Sequence, residues 1–301
     1  MNDLPTTSQY RKKYSLGESD KLNPQANKQP GTNFGKDKMK SNEITSESTI
    51  PGPSLSQLFH RYFQIIPADS PALREEVYRI RYEVYCREFK YEQAADFPDG
   101  LEYDNFDAQR SHHCLLLHRE TGLLAGCVRL VTNDPANLNA PLPFEQGCNI
   151  SNLKNANIAP MIKQRSQIGE ISRLAVPATF RRRRNDPGSP IGELSIPNFS
   201  RNERRCFPHI PMGLYLAAAA IGLQMNLDGV FAMMELRLAR HLRRFGIIFE
   251  QAGDIIDYHG QRAVFYISRD GLFKHLQPEI RALLDTILAD LEAGLKTGTH
   301  R

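Results

Sequence analysis

The sequence predicts an α/β fold built on a mixed sheet, and three observations carry that reading. After a first helix, strand-like and helix-like segments follow in the order strand, strand, strand, helix, strand, helix, strand, helix. The first two strands flank a tight polar turn, which makes them an antiparallel hairpin and argues against a doubly wound parallel sheet. No GxGxxG or GxxxxGK[ST] loop occurs, so a nucleotide-binding sheet loses further support.

Residues 1–54 are rich in Asn, Ser, Lys, Gln, Pro and Gly and show no apolar periodicity. Such a segment buries too little surface to offset its conformational entropy, so a disordered tail is expected there, with the folded domain over 55–301. The first folding signal is Ser70, a helix N-cap, with Pro71 at the first helical position. Leu73, Val77, Ile80 and Val84 then recur at spacings of four, three and four, one apolar stripe that runs out near Phe89. An acidic loop, GLEYDNFD, occupies 100–107. Strands over 114–118 and 124–132 flank the turn Glu120-Thr121-Gly122. A long Asn- and Pro-rich connection leads to a strand over 168–176. An irregular basic stretch, a helix over 212–227, a strand over 229–235, a helix over 236–245 and a strand over 263–268 follow. Leu283, Leu284, Ile287, Leu288, Leu291 and Leu295 make the stripe of a C-terminal helix.

Composition narrows the class. Apolar residues make up 41% of the 301, enough for a core, and a net charge of +4 is too mild to imply a nucleic-acid partner. The five cysteines (86, 114, 127, 148 and 206) are odd in number, widely spaced and free of any CxxC pattern. They read as buried thiols in a reducing compartment, with no disulfide framework and no metal site. The N-terminus lacks the apolar core of a signal peptide. The apolar run 212–223 falls short of the roughly 20 residues that span a bilayer. A cytoplasmic protein without a transmembrane segment is the expectation.

Chemistry enters with charges placed where burial is expensive. Arg129 lies inside the apolar strand GCVRLV, and Glu170, Ser172 and Arg173 lie inside IGEISRLAV. A buried unpaired charge costs several kcal/mol, so these groups must be paired or face a cleft. Glu102, Asp104 and Asp107 of the acidic loop, and Arg81 beside the first helical stripe, could converge with them. A structural ion-pair network and a catalytic site are both compatible with this pattern.

In order, RYEVY (Arg81, Val84, Tyr85), EYDNFD (Glu102, Asp104, Asp107), GCVRL (Gly126, Arg129) and EISR (Glu170, Ser172, Arg173) resemble the acyl-homoserine-lactone synthases and the related N-acyl amino acid synthases. The resemblance continues through LRLARHLRRFG and DYHGQRAVFYI and covers about two thirds of the chain. Within that superfamily the chain looks most like the PEP-CTERM/exosortase-associated acyltransferases. The resemblance implies a GNAT-like fold, with a mostly antiparallel sheet flanked by helices, and an N-acyltransferase. The acyl donor would be an acyl carrier protein, or acyl-CoA, and the acceptor a small amine such as an amino acid. No cofactor is implied beyond the phosphopantetheine arm of the donor. Two departures bear on the acceptor: Tyr91 and Gly169 stand where the autoinducer synthases usually carry Trp, and the chain has no Trp. Those aromatics help form the S-adenosylmethionine pocket, so homoserine-lactone synthesis becomes the second reading. A binding module without activity on the same scaffold is the third.

Residue roles follow from the resemblance and from charge. Glu170 or Glu102 is the candidate base that takes a proton from the ammonium group, through a water. A backbone amide near Arg173 would stabilise the oxyanion. Arg81, Arg129 and Arg173 would hold an acceptor carboxylate or organise Asp104, Asp107 and Ser172. Between 163 and 205 there are ten Lys/Arg against four acids, among them Arg181, Arg182, Arg183 and Arg184 in TFRRRRNDPGSPIG, where the usual GNAT pyrophosphate loop is missing. This is either a docking patch for an acidic carrier or a solvated loop. No aromatics alternate with the arginines as a nucleic-acid stacking platform would require.

Overall fold

Ser54 opens the fold, because its side chain accepts the Gln57 N–H while Gln57 returns a bond to the Ser54 N–H, a capping box that starts helix α1, Leu55–Tyr62. The computed structural model describes residues 53–108, 110–134, 137, 139–148, 153–181 and 199–298. The tail expected over 1–54 therefore lies outside the described residues except for its last two positions. Helix α1 runs into strand β1, Phe63–Pro67, and neither element carried a recognised signal in the sequence.

Helix α2, Pro71–Arg81, begins as predicted, with Ser70 Oγ accepting the Leu73 N–H. It continues as a π-helical segment, Tyr82–Glu88, in which the Phe89 N–H reaches the Val84 carbonyl five residues back. Strands β2, Ser111–His118, and β3, Leu124–Thr132, form the expected hairpin. Gly122 in its turn has φ +69°, a conformation glycine adopts without steric cost. Helix α3, Pro143–Gly147, precedes β4, Ile168–Ala175, which ends in the short helix α4, Ala178–Arg181. Helices α5, Arg201–Cys206, and α6, Ile210–Gln224, lead to β5, Gly229–Glu235, and helix α7, Leu236–Arg243. Strands β6, Glu250–Asp257, and β7, Gln261–Ser268, then helices α8, Arg269–His275, and α9, Pro278–Gly298, complete the chain.

Among the described residues the seven strands form one sheet in the order β1-β2-β3-β4-β5-β7-β6. Every pairing is antiparallel except β4 with β5. Side chains alternate across the sheet as the pleat demands. Leu116, Leu130 and Ala232 join α6 and α9 in the core on one face. Val131, Phe231 and Val264 pack with Phe144 on the other, where Leu115 and Cys127 also lie under α2. The run Arg201–Gln224 is long and apolar enough to cross a membrane by composition, but two thirds of its apolar window is buried. Its α6 part packs on β2, β3 and β4 and against α9, as a core helix. All five cysteines are buried.

The largest fully buried side chains include two arginines, Arg81 at 0% exposure and Arg129 at 1%. Both reach the acidic loop, which they tie to α2 and β3. Removing one partner of such a pair leaves the others charged and uncompensated, at about 3–5 kcal/mol. Arg81→Met is accordingly expected to lower the melting temperature by roughly 10 °C at neutral pH. A thermal denaturation curve checks this; a shift of only a degree or two would mean the pairs contribute little to the fold.

Candidate active site

The acidic loop is shaped by its own carboxylates. Asp107 Oδ2 accepts the Asp104 N–H at 2.7 Å, Asp104 Oδ1 accepts the Phe106 N–H at 2.9 Å, and the Glu102 N–H reaches the Tyr78 carbonyl on α2. Thus folded, the loop presents three carboxylates to three arginines. Arg81 Nε lies 2.5 Å from Glu102 Oε2, and Arg81 Nη1 donates to both oxygens of Asp107. Arg129 Nη1 bridges Asp104 at 2.6 Å and Asp107 at 2.9 Å, while its Nε donates to Ser172 Oγ at 3.1 Å. Arg173 Nη2 meets Glu92 at 3.2 Å and Asp104 at 3.4 Å, and its Nε lies 3.3 Å from Glu102. Burial alone would raise the Asp107 carboxyl, but the neighbouring His113 ring, Arg81 and Arg129 hold it far below the usual carboxylate range.

The network has two halves. Arg81, Glu102, Asp107 and Arg129 are sealed, whereas the side chains of Arg173, Asp104 and Glu92 are 23–28% exposed. Among the described arginines and carboxylates of the network, three buried atoms find no hydrogen-bond partner: Arg81 Nη2, Glu102 Oε1 and Arg173 Nε. Two of them face each other across the Arg173–Glu102 contact, beside the exposed edge. A polar ligand arriving there would meet donors and an acceptor already desolvated.

Arg173 is held in the left-handed region, φ +49°, where β4 carries one residue more than β3 between Cys127 and Arg129. Tyr85, on the π-helical segment, braces this bulge: its hydroxyl donates to the Leu174 carbonyl at 2.7 Å, and the Arg173 guanidinium lies over its ring at 5.6 Å. Burial pushes the Tyr85 phenol upward, so it remains a donor. The Tyr85 carbonyl accepts the N–H groups of Tyr91 and Glu92, which sets Glu92 against Arg173.

Glu170 stands apart from the network. Its carboxylate accepts the Phe144 N–H at 2.8 Å, on the same face of the sheet as Ser172, two residues further along β4, and Arg129. Burial pushes its pKa up to about 8, against the opposing pull of the Phe144 N–H and Arg129. Its position along β4 is the telling feature. Strands β4 and β5 pair only through Ile168–Gly229, Gly169–Val230 and Glu170–Phe231. Beyond Glu170 the two strands part, so this residue sits at the apex of a gap whose mouth lies at their C-terminal ends.

On one face of the sheet a pocket of about 470 Å³ of empty space, part of it open to solvent, adjoins that apex. Ile171, Tyr215, Ala219, Gly222, Val230 and Phe249 contribute to its apolar wall. Neither this pocket nor the roles of Tyr85 and Glu92 were read from the sequence. The small residues of α6, Ala217–Ala220 and Gly222, are the signal that could have marked it. Gly169 leaves no room for the family's aromatic: a Cβ there would lie 2.9 Å from the Val131 carbonyl and 3.1 Å from methyls of Leu130 and Leu227. At the other departure Tyr91 does supply a ring, stacked between Phe89 at 5.1 Å and His259 at 4.7 Å.

Of the four basic-loop arginines, Arg181 turns back on the chain, pairing with Glu88, donating to the Val176 carbonyl and covering the Phe89 ring at 4.5 Å. Arg182, Arg183 and Arg184 lie outside the described residues.

Residues 80–187 match the acetyltransferase (GNAT) domain family. No curated protein matches the chain in sequence. Among solved structures the chain is similar to the AHL synthase LasI, with 18% identity, 71% of this chain and 95% of that one covered, and a TM-score of 0.42. It is also similar to TofI in a ternary complex with an inhibitor and MTA, at 18% identity, 75% and 99% coverage and a TM-score of 0.48. For FeeM, an N-acyl amino acid synthase from uncultured soil microbes, identity is 11%, coverage 71% and 94%, and the TM-score 0.44. The stretch that matches an acetyltransferase (GNAT) domain, residues 80–187, thus includes the acidic loop, the three arginines and the bulged strand β4.

Proposed function

We propose that the protein is a cytoplasmic N-acyltransferase that moves a fatty acyl group from an acyl carrier protein thioester, or from acyl-CoA, to the amine of a small acceptor such as an amino acid. One observation carries the reading: the gap between β4 and β5 has an apolar pocket beside its apex on one face and a charged, partly exposed edge on the other. A thioester in the gap would lay its chain in the pocket and offer its carbonyl to an amine held by Arg173, Asp104 and Glu92. Strand backbone freed by the divergence would pair with amides of the thioester arm, and a backbone amide at the Arg173 bulge would face the developing oxyanion. The exposed arginines 237, 240 and 243 of α7, with Arg244 just after it, at the mouth end of β5, favour an acidic donor.

Glu170 at the apex is the candidate base and Glu102, already engaged by two guanidiniums, the lesser one. Autoinducer synthesis from S-adenosylmethionine is the second reading, favoured by the Phe89–Tyr91–His259 ring stack; release of methylthioadenosine would identify it. A PEP-CTERM/exosortase setting rests on the sequence resemblance alone. Mass spectrometry of lipid extracts from cells overproducing the protein tests the whole reading, because the product names donor and acceptor together.

Three outcomes are expected. Each methylene buried in the pocket is worth about 0.8 kcal/mol, so donor KM should fall roughly fourfold per added carbon until the pocket is full. Ala219→Phe should move that limit to shorter chains; an unchanged chain-length profile would remove the pocket from the mechanism. Glu170→Gln should cut kcat by about 10²–10⁴-fold and abolish the rise in activity as pH climbs through about 8. The raised Glu170 pKa also means that its contribution to stability, complete below the unfolded value near 4.5, is lost as pH rises through about 8. The Gln variant should therefore melt higher than its parent in alkaline buffer, and unchanged turnover would discard the base assignment. Reversing the charge of Arg182, Arg183 and Arg184 should raise KM for a carrier-bound donor while sparing a small thioester mimic; equal loss with both would exclude docking there.

A further inference from the structure

The three arginines of the network are already committed to acids. Arg81 binds Glu102 and Asp107, Arg129 binds Asp104 and Asp107, and Arg173 meets Glu92, Glu102 and Asp104. A fourth guanidinium on the same face of the sheet is not. Arg262 stands on β7 opposite Glu235, at the end of β5 where the gap has its mouth. Counted in twos from Val264 and Tyr266, its side chain leaves the sheet on the face that packs with Phe144 and Phe231. Glu170 and Ser172, counted from Ile168 on β4, leave on that face too.

The Arg262 guanidinium lies over the Tyr91 ring, 5.5 Å from its centre. Tyr91 belongs to the opposite bank of the gap. Its N–H bonds the Tyr85 carbonyl, and the Tyr85 hydroxyl bonds the Leu174 carbonyl near the end of β4. The contact therefore joins the β4 side of the gap to the β5 side. The Tyr215 phenol on the pocket wall agrees with this placement: burial raises it most, and Tyr85, Arg262 and Glu170 all act on it through space.

Arg262 is half-buried, yet among the described residues no carboxylate lies within ion-pairing distance of it, Glu235 opposite included. Its Nε is sealed and unpaired, whereas its two terminal nitrogens are neither sealed nor hydrogen-bonded. A guanidinium so placed, without a counter-ion, favours an anion that can meet its planar fork. Glu92 follows Tyr91 directly in the chain, and its carboxylate and that of Asp104 are partly exposed beside Arg173. The same face thus offers carboxylates next to Arg173 and an uncommitted cation next to Tyr91, a pattern complementary to a zwitterion.

We propose that the acceptor is an amino acid with its carboxylate free, and that Arg262, braced on Tyr91, holds that carboxylate while Glu92 and Asp104 face the ammonium group. This rests on the N-acyltransferase reading and deepens it. Replacing the carboxylate by a carboxamide would leave the guanidinium without its counter-ion. A charge-assisted pair of this kind is worth roughly 10- to 100-fold in affinity. A phosphate on the donor's pantetheine arm would offer similar chemistry at the mouth, and the experiment separates the two sources.

The test is acyl transfer by the full chain, with products read by mass spectrometry. Donors are saturated acyl groups of mixed length on an acyl carrier protein, on CoA and on pantetheine, the last without phosphate. Acceptors are the proteinogenic amino acids and their carboxamides, first as pools and then as matched pairs. The amino acids are expected to react with kcat/KM at least about tenfold above their carboxamides. Arg262→Met is expected to erase that preference by raising KM for the amino acid, with KM for the carboxamide and for every donor unchanged. Arg262→Lys, which keeps the charge but loses the planar fork, should fall between. Should Arg262→Met fail to fold, Arg262→Gln replaces it, with melting curves run on each variant. Equal use of both acceptor classes by the parent protein overturns this inference and leaves the acyl-transfer reading standing. An equal loss with both classes in Arg262→Met, as a merely structural role would give, overturns it too. So does a loss confined to the two phosphate-bearing donors, which would assign Arg262 to the donor. If no amine is acylated from any donor, the N-acyltransferase reading itself has failed.

Discussion

Among the described residues, strands β4 and β5 are the one parallel pair in an otherwise antiparallel sheet, and their ladder is only three residue pairs long. A ladder that stops mid-sheet leaves backbone donors and acceptors in need of other partners, which is tolerable only where water or a ligand supplies them. Two features keep the strands apart. The bulge at Arg173 turns β4 away from a regular path, and the Leu174 carbonyl is bonded by the Tyr85 hydroxyl. The short connection from Glu235 into α7 then gives β5 no further length over which to close the gap.

The charged network is best understood as the support of that bulge. Arg129 joins β3 to Ser172 beside it, and Arg173 is held from above by Tyr85 and from the side by Glu92, Glu102 and Asp104. Three guanidiniums against four carboxylates nearly balance, which is why so many ions can be held in so little solvent. The network thus does two things at once: its sealed half fixes α2 to the sheet, and its partly exposed half, Arg173, Asp104 and Glu92, faces outward.

How much of this was legible in the sequence depends on the kind of signal. Elements with a full apolar period, such as α2, β3, β4 and α9, stood where spacing put them, although the Leu295 side chain lies outside what is described. Elements without one were missed. Strand β6 is a polar edge strand, EQAGDIID, whose pairing with β7 shifts register between Gln251 and Ile255, so no alternation survives to be read. Helix α1 was hidden behind a polar tail, though Ser54 and Gln57 carry its capping box. In the site, Arg81, Glu102, Asp104, Asp107, Arg129, Ser172 and Arg173 do come together, because charges in apolar strands have few places to go. Glu170 shares their face of the sheet, yet its carboxylate is taken by the Phe144 N–H. Glu92 joins through a backbone turn around the Tyr85 carbonyl that no spacing rule predicts.

The π-helical stretch from Tyr82 to Glu88 has an effect of its own on how the first helix is read. A wider turn absorbs an extra residue, so side chains after it are rotated by about 100° relative to those before it. Val77, Ile80 and Val84 stay on the sheet, yet the next position, Tyr85, reaches the end of β4, and Glu88 reaches the Ala178 N–H beyond it. One rod therefore serves two masters: its early turns anchor the domain, and its late turns grip the C-terminal end of β4. A helix kept strictly at 3.6 residues per turn would have aimed that hydroxyl elsewhere.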